Sequence, residues 1–190
     1  MGYRVVAGID EVGLGPLAGP AVAAAVVLPI GARLPGLDDS KKLTADQRQR
    51  LDRLIRRRAL GVSIGEVSAA ELDGLGLTRA RQTAMSNAVA GLPVPAEYLL
   101  VDAWDVPDLP LPQMCVVKGD GTCASIMAAS IVAKVHRDRL MIEYDRQYPG
   151  YGFAVHKGYA TAAHRRALRQ LGPSPIHRMS WAPIRAVLAS

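Results

Sequence analysis

A chain of 190 residues with 49% hydrophobic side chains has the material for one compact core, since domains usually run to roughly 100–200 residues. Its 23 lysines and arginines against 17 acids, with an isoelectric point near 9.6, favour a polyanionic partner over an acidic or membrane-inserted one. Cys115 and Cys123 stand in neither a CxxC nor a zinc-type spacing, which argues against a disulfide framework and fits a reducing cytoplasm. The longest apolar run, Ala21 to Ile30, is shorter than the ~20 residues that span a bilayer, and no leader pattern precedes it.

In chain order, residues 4–9 and 21–28 read as β-rich apolar runs separated by the turn Gly13-Leu14-Gly15-Pro16-Leu17-Ala18-Gly19-Pro20. Asp10 and Glu11 come directly after the first run, which places two carboxylates at a strand's end beside a loop with little side-chain bulk. Thr44-Ala45-Asp46-Gln47 has the form of a capping box and opens an amphipathic helix carrying Leu51, Leu54 and Ile55. Leu60, Val62 and Ile64 alternate as a third strand, and a second helix covers roughly Leu77 to Val89. Pro93 and Pro95 then break the chain before two short apolar runs, Tyr98 to Val101 and Met114 to Val117, with Asp102 ending the first and Asp120 three residues past the second.

An alanine-rich helix follows from about Ala124 to Tyr144, apolar around most of its circumference until Arg137, so its first part packs inside and its charged end emerges. A last helix near Thr161 to Leu171 stops at Gly172-Pro173. Strands and helices alternating around one hairpin predict an α/β domain with a mixed sheet.

Asp10, Glu11, Asp102 and Asp120 all lie at or just past strand ends, where sheet-based active sites collect. Phosphodiester hydrolysis needs an activated water and a stabilised leaving oxygen, and two divalent ions ~3.5–4 Å apart, bridged by carboxylates, supply both. Each acid taken singly could equally be a turn or cap residue. His136, His156, His164 and His177 form no HxxxH or HExxH pattern, which disfavours catalytic zinc and reads as solvent-exposed or substrate-edge histidines. The glycine-rich turn is also no dinucleotide-binding loop, because prolines interrupt it and a strand follows where that motif requires a helix.

The wording of these segments resembles the type 2 ribonucleases H, the ribonuclease HII family. The resemblance begins with Gly8-Ile9-Asp10-Glu11-Val12-Gly13 and Gly15 to Pro20 and continues through Asp39 to Leu43, Val101-Asp102 and Lys118-Gly119-Asp120. It then takes in Ala128 to Asp138, His156 to Thr161 and His177-Arg178-Met179-Ser180-Trp181. It implies an RNase H-like fold, a central five-stranded mixed sheet flanked by helices, with a small C-terminal helical extension over the substrate at about residues 150–190 of a single domain. It implies cleavage of the RNA strand of RNA–DNA hybrids, and incision of duplex DNA 5′ to a single embedded ribonucleotide, leaving 3′-hydroxyl and 5′-phosphate ends. By motif position Asp10, Glu11, Asp102 and Asp120 match its metal-binding carboxylates for two Mg²⁺ or Mn²⁺ ions. Gly13, Leu14 and Gly15 match the turn that reads the 2′-hydroxyl, and Tyr159 matches the tyrosine that senses the RNA-to-DNA junction. Lys42 and its neighbour Lys41 fall near the substrate backbone, and Asp138 in a structural network beside the site.

One position departs from the family: Leu14 stands where arginine is usual, so the turn keeps its main-chain groups but lacks a guanidinium contact to phosphate. Cleavage with weaker or less selective binding is the expectation. The chain ends Val187-Leu188-Ala189-Ser190 without an obvious sliding-clamp-binding sequence, and a monomer with no obligate protein partner is expected. A nonenzymatic duplex-binding module is the rival reading, disfavoured by the presence of all four acids.

Overall fold

The segment Ala21–Val27 carries no polar side chain, and in the computed structural model, which describes residues 2–107 and 109–189, all seven of its residues are buried. It forms strand β2, antiparallel to β1 (Val6–Val12) on one side and β3 (Gly61–Val67) on the other. Beyond β1, β4 (Tyr98–Asp102) and β5 (Gln113–Val116) run parallel to it, giving a mixed five-stranded sheet in the order β3-β2-β1-β4-β5. The helices are α1 (Ala45–Arg58), α2 (Ala69–Leu75), α3 (Leu77–Ala90), α4 (Gly119–Thr122), α5 (Ala124–Gln147), α6 (Phe153–His156), α7 (Ala162–Leu171) and α8 (Ala182–Leu188).

Strand periodicity of two sorts the apolar residues onto two faces. Ala21, Ala23, Ala25 and Val27 join Ala80, Ala84, Met85 and Ala88 of α3 in one core. Val22, Ala24 and Val26 meet α5 residues Ala128 to Val135 and α1 residues Leu51 and Ile55 in the other. Burial on both faces explains why β2 is uniformly apolar rather than alternating. The helices lie close to the sheet because the contacts are small: a Cβ at Gly8 would sit 2.2 Å from the Ser125 carbonyl carbon on α5, and one at Gly65 would sit 2.0 Å from the Ala84 oxygen on α3. Gly8→Ala would therefore push α5 off β1.

The capping box at Thr44 forms as expected, with Gln47 N–H donating to the Thr44 hydroxyl and Thr44 N–H to the Gln47 side chain. Three expectations need correction. β1 runs on through Val12, so Asp10 and Glu11 lie within the strand, paired opposite Ala24 and Ala23; the small partners leave room for the acids. α5 extends to Gln147, and Arg137 does not emerge from it but is fully buried, its guanidinium donating to main-chain carbonyls. Helices α2 and α8 were not anticipated.

Residues 150–189 dock on the glycine-rich turn. Leu17 N–H donates to Gly158 O and Gly19 N–H to Ile176 O, both at 2.8 Å, Arg178 N–H donates to Leu17 O at 3.0 Å, and Ala18 bridges His177. None of the helices in the described residues is long and apolar enough to cross a membrane. Cys115 and Cys123 are free.

Candidate active site

β1 and β4 pair in parallel only as far as Ile9 opposite Val101, and the acids stand where the two strands part. Asp102 is the last residue of β4. Asp10 shares a face with Gly8 and lies toward Ser130 of α5, whereas Glu11 points to the opposite face, toward Arg81 of α3. Together with Ser40, Lys41, Arg48, Ser130, Lys134 and Tyr159 these three acids line one cavity of about 410 Å³. Asp120 comes from α4, which begins after Lys118 in a left-handed conformation. That turn aims the Gly119 N–H at Asp102 Oδ1, 2.8 Å away, with the Asp120 N–H at 3.4 Å. Asp120 reaches the cavity wall through the Lys41 ammonium, 2.5 Å from its Oδ2.

The carboxylates raise one another's proton affinity. Burial pushes the Asp10 carboxyl up to about 8, with the Glu11 and Asp102 charges adding to the shift and the Ser130 hydroxyl opposing it. Burial also raises Glu11, against the pull of Arg81, and raises Asp102, helped by Asp120. Lys41 is held protonated above its usual range chiefly by its hydrogen bond to Asp120. Glu11 Oε2 is buried with no hydrogen-bond partner, the situation most costly for a carboxylate oxygen.

An oxygen donor set lacking positive charge suits a hard divalent cation. The residues fit such an ion by chemistry: crowded carboxylates, one orphaned oxygen, and an ammonium resting on Asp120. Among the described residues, however, no three acidic, histidine or cysteine side chains are drawn close enough to hold an ion together. The donors share a cavity without having converged in it.

The turn at Gly13–Gly15 forms the rim. Gly13 has φ +90°, and a Cβ there would lie 2.2 Å from the Arg137 side chain, so only glycine fits. Gly15 is exposed, and the nearest atom to a Cβ placed on it is Cε1 of Tyr159 at 4.0 Å, which sets the tyrosine ring beside the turn. The half-buried Leu14 side chain packs against the α3 core. Its carbonyl accepts from Arg178 Nη1 at 2.7 Å, and Gly13 O accepts from Arg178 Nη2. The turn's carbonyls are thus occupied from below.

The structure brings Asp10, Glu11, Asp102 and Tyr159 into one cavity, with Asp120 tied to its wall and Gly13, Leu14 and Gly15 at its edge. It does not bring Lys42 there: that ammonium pairs with Asp38 at 3.1 Å, and Lys41 faces the acids instead. Asp138 sits beside the cavity with Lys134 Nζ at 2.7 Å and Arg48 Nη2 at 4.0 Å. For three of the four histidines the expectation is corrected. His156, His164 and His177 are buried, whereas half-buried His136 pairs with Glu66 at 2.6 Å; ring contacts and hydrogen bonds to carbonyls, to Ser174 and to one another make the first three interior residues.

The residues that sequence reading missed are Arg137 and Arg178, both fully buried. Arg137 donates to Ala18, Pro20 and Lys157 carbonyls and Arg178 to Gly13, Leu14 and Gly19 carbonyls, fastening both ends of the turn. A signal was available, since a turn rich in glycine and proline leaves carbonyls without ladder partners.

The model of the family described as ribonuclease HII matches residues 7–184. A ribonuclease HII of Geobacter metallireducens is 53% identical over 188 residues, spanning 99% of this chain and 88% of that protein. One of Geobacillus kaustophilus is 56% identical over 187 residues, spanning 98% and 72%. Among solved structures, ribonuclease H2 of Pyrococcus horikoshii superposes with a TM-score of 0.82 at 26% identity, covering 96% of each chain. Ribonuclease HII of Archaeoglobus fulgidus, solved in complex with PCNA, superposes at 0.78 and 26% identity with the same coverage. The fold is shared more distantly with Bst-RNase HIII, solved with Mn²⁺, at a TM-score of 0.77 and 20% identity over 99% of this chain and 70% of that one. With the family model matching residues 7–184 and sequence identity above one half along nearly its whole length, the chain belongs to the ribonuclease HII family.

Proposed function

We propose that this protein is a metal-dependent endoribonuclease that cleaves the RNA strand of RNA–DNA hybrids and incises duplex DNA on the 5′ side of a single embedded ribonucleotide, leaving 3′-hydroxyl and 5′-phosphate ends. The observation that carries this reading is the shared cavity: three of the four acids line it together with Tyr159, whose ring stands against Gly15 of the turn.

Mg²⁺ or Mn²⁺ held by Asp10, Glu11, Asp102 and Asp120 supplies activation of water and charge stabilisation of the leaving oxygen. The rest is done by this chain's own groups. The Gly13–Gly15 turn carries no bulk above its backbone, so a sugar can approach main-chain donors and present its 2′-hydroxyl, the group that separates RNA from DNA. Tyr159, with 45% of its surface exposed, packs on the next sugar and senses whether it is deoxyribose. Lys41, Arg48 and Lys134 line the same cavity and attract the backbone phosphates. Asp120, paired with Lys41 in this structure, would be a ligand of the ion, and Lys41 would then be available to a phosphate.

The test is incubation of the purified protein with a labelled duplex containing one ribonucleotide, an all-DNA duplex and a continuous hybrid, each with Mg²⁺, Mn²⁺ or EDTA. Metal-dependent nicking 5′ to the lone ribonucleotide, absent from all-DNA, is the expected result. Cutting of the continuous hybrid alone would remove the junction reading, and binding without cutting in either metal would favour the duplex-binding module.

A further inference from the structure

Behind Tyr159 lie three buried imidazoles whose ring nitrogens all have partners, and the partners fix the protons. His164 Nδ1 is 2.9 Å from the Tyr159 carbonyl, a pure acceptor, so Nδ1 carries the proton. In the neutral ring Nε2 is then an acceptor, and His177 Nε2, 3.0 Å away, must donate to it. His177 Nδ1 is left to accept, and does so from the Ser174 backbone N–H at 2.9 Å and the Ser174 hydroxyl at 2.8 Å. The bonds run in one direction, from Ser174 through His177 and His164 to the main chain of Tyr159. His156, stacked on His164 with ring centroids 4.3 Å apart, is fixed separately: it accepts from Gly158 N–H and donates to Tyr151 O.

We propose that His177 and His164 are positioning residues for ribonucleotide recognition, holding the backbone of Tyr159 so that its ring stays over Gly15. The proposal rests on the reading of Tyr159 given above. Its ring is exposed, so side-chain packing alone does not orient it and the main chain must. That main chain leaves a tight turn in which Lys157 and Gly158 both have positive φ and a Cβ on Gly158 would lie 2.3 Å from Ala18 O. Tyr159 N–H donates to His156 O at 2.9 Å, and Tyr159 O accepts from Thr161 N–H at 2.8 Å as well as from His164. The His164 donor is the only one of these from a side chain, and it ties the turn to the segment carrying Ser174 and His177.

The chain works only with both rings neutral, since a second proton would set N–H against N–H. Burial lowers the proton affinity of both rings, bringing His177 to about 4. The groups facing the pair are His156, Tyr151, Phe153, Ser174 and the Tyr159 carbonyl, and among the described residues no carboxylate bonds either ring.

Two measurements test this. In ¹⁵N-histidine-labelled protein at neutral pH, His177 is expected as the Nε2–H tautomer and His164 as the Nδ1–H tautomer, with nitrogen–nitrogen coupling across the bond between them; a positively charged ring or the reverse tautomers would overturn the proposal. In cleavage assays, His164→Leu is expected to lower the preference for a lone ribonucleotide over a continuous hybrid about tenfold, through KM, as loss of one buried hydrogen bond implies. His164→Asn, whose amide donor falls where Nδ1 was, is expected to restore it. Unchanged preference in folded His164→Leu, while Tyr159→Ala loses it, overturns the positioning role alone. Unchanged preference in Tyr159→Ala overturns the underlying reading of Tyr159, and the proposal with it.

Discussion

The floor of the cavity and the support beneath its rim are built on opposite electrostatic plans. On the floor, Asp10, Glu11 and Asp102 repel one another, Glu11 Oε2 has no hydrogen-bond partner although Arg81 lies near, and the Lys41 ammonium rests on Asp120. Under the rim, Arg137, Arg178 and three neutral histidines have their polar atoms matched to carbonyls, amides or each other. Unmet negative charge prepares the floor for ions that arrive from solution. Complete satisfaction makes the rim stiff before substrate arrives, so little is lost in ordering it.

The largest effect is expected on the floor. Asp120→Asn should fold and bind duplex yet cleave at least ~10²-fold more slowly, as misplacement of reacting atoms by ~1 Å implies; single-turnover cleavage alongside thermal melting checks both halves. Under the rim, Arg178→Met should instead lower folding stability, by about 3–5 kcal/mol, because three buried carbonyls lose donors. Urea denaturation would measure it, and a loss under ~1 kcal/mol would mean water replaces the guanidinium.

The two regions should also titrate in opposite directions. Asp10, raised from 3.8 to about 8, contributes stability present below its unfolded value and lost as pH rises through about 8. His177, lowered from 6.5 to about 4, contributes stability present above 6.5 and lost as pH falls toward 4. Between about pH 4 and 6.5 the two contributions offset, so melting in EDTA should stay level there and decline as pH rises from 6.5 to about 8, and added Mg²⁺ should rescue that decline. A decline above pH 6.5 that Mg²⁺ leaves unchanged would contradict the assignment. The smallest effect is expected from Leu14→Arg, which exchanges an apolar contact with the α3 core for a guanidinium at the rim. It should tighten substrate binding or sharpen junction preference severalfold in competition assays, and no change in either would show that position 14 is not a determinant.

Legibility in the sequence followed the same division. The acids stood out through the family wording of the segments around them, since each taken singly could equally cap a turn, and β2 was plain because burial on both faces leaves it uniformly apolar. α1 announced itself through Thr44 and Gln47, and Ser68 with Glu71 announces α2 by the same signature, although its seven residues are too few for a hydrophobic period to stand out. α8 is as short and begins near a proline. That Lys41 rather than Lys42 faces the acids depends on one rotation of a loop, which spacing does not encode. Arg137 and Arg178 were hidden because most of their partners are backbone carbonyls more than 100 positions away, and a carbonyl has no letter in the sequence; the three histidines were hidden because only the fold stacks them together.

Arg178 reaches back more than 160 positions to the carbonyls of Gly13 and Leu14. During synthesis, the sheet and all four acids can assemble well before that arginine leaves the ribosome. The turn at Gly13–Gly15, proposed above to read the sugar, is fastened only once Arg178 has been made. On that reading, the metal site can form before the turn that would give it selectivity.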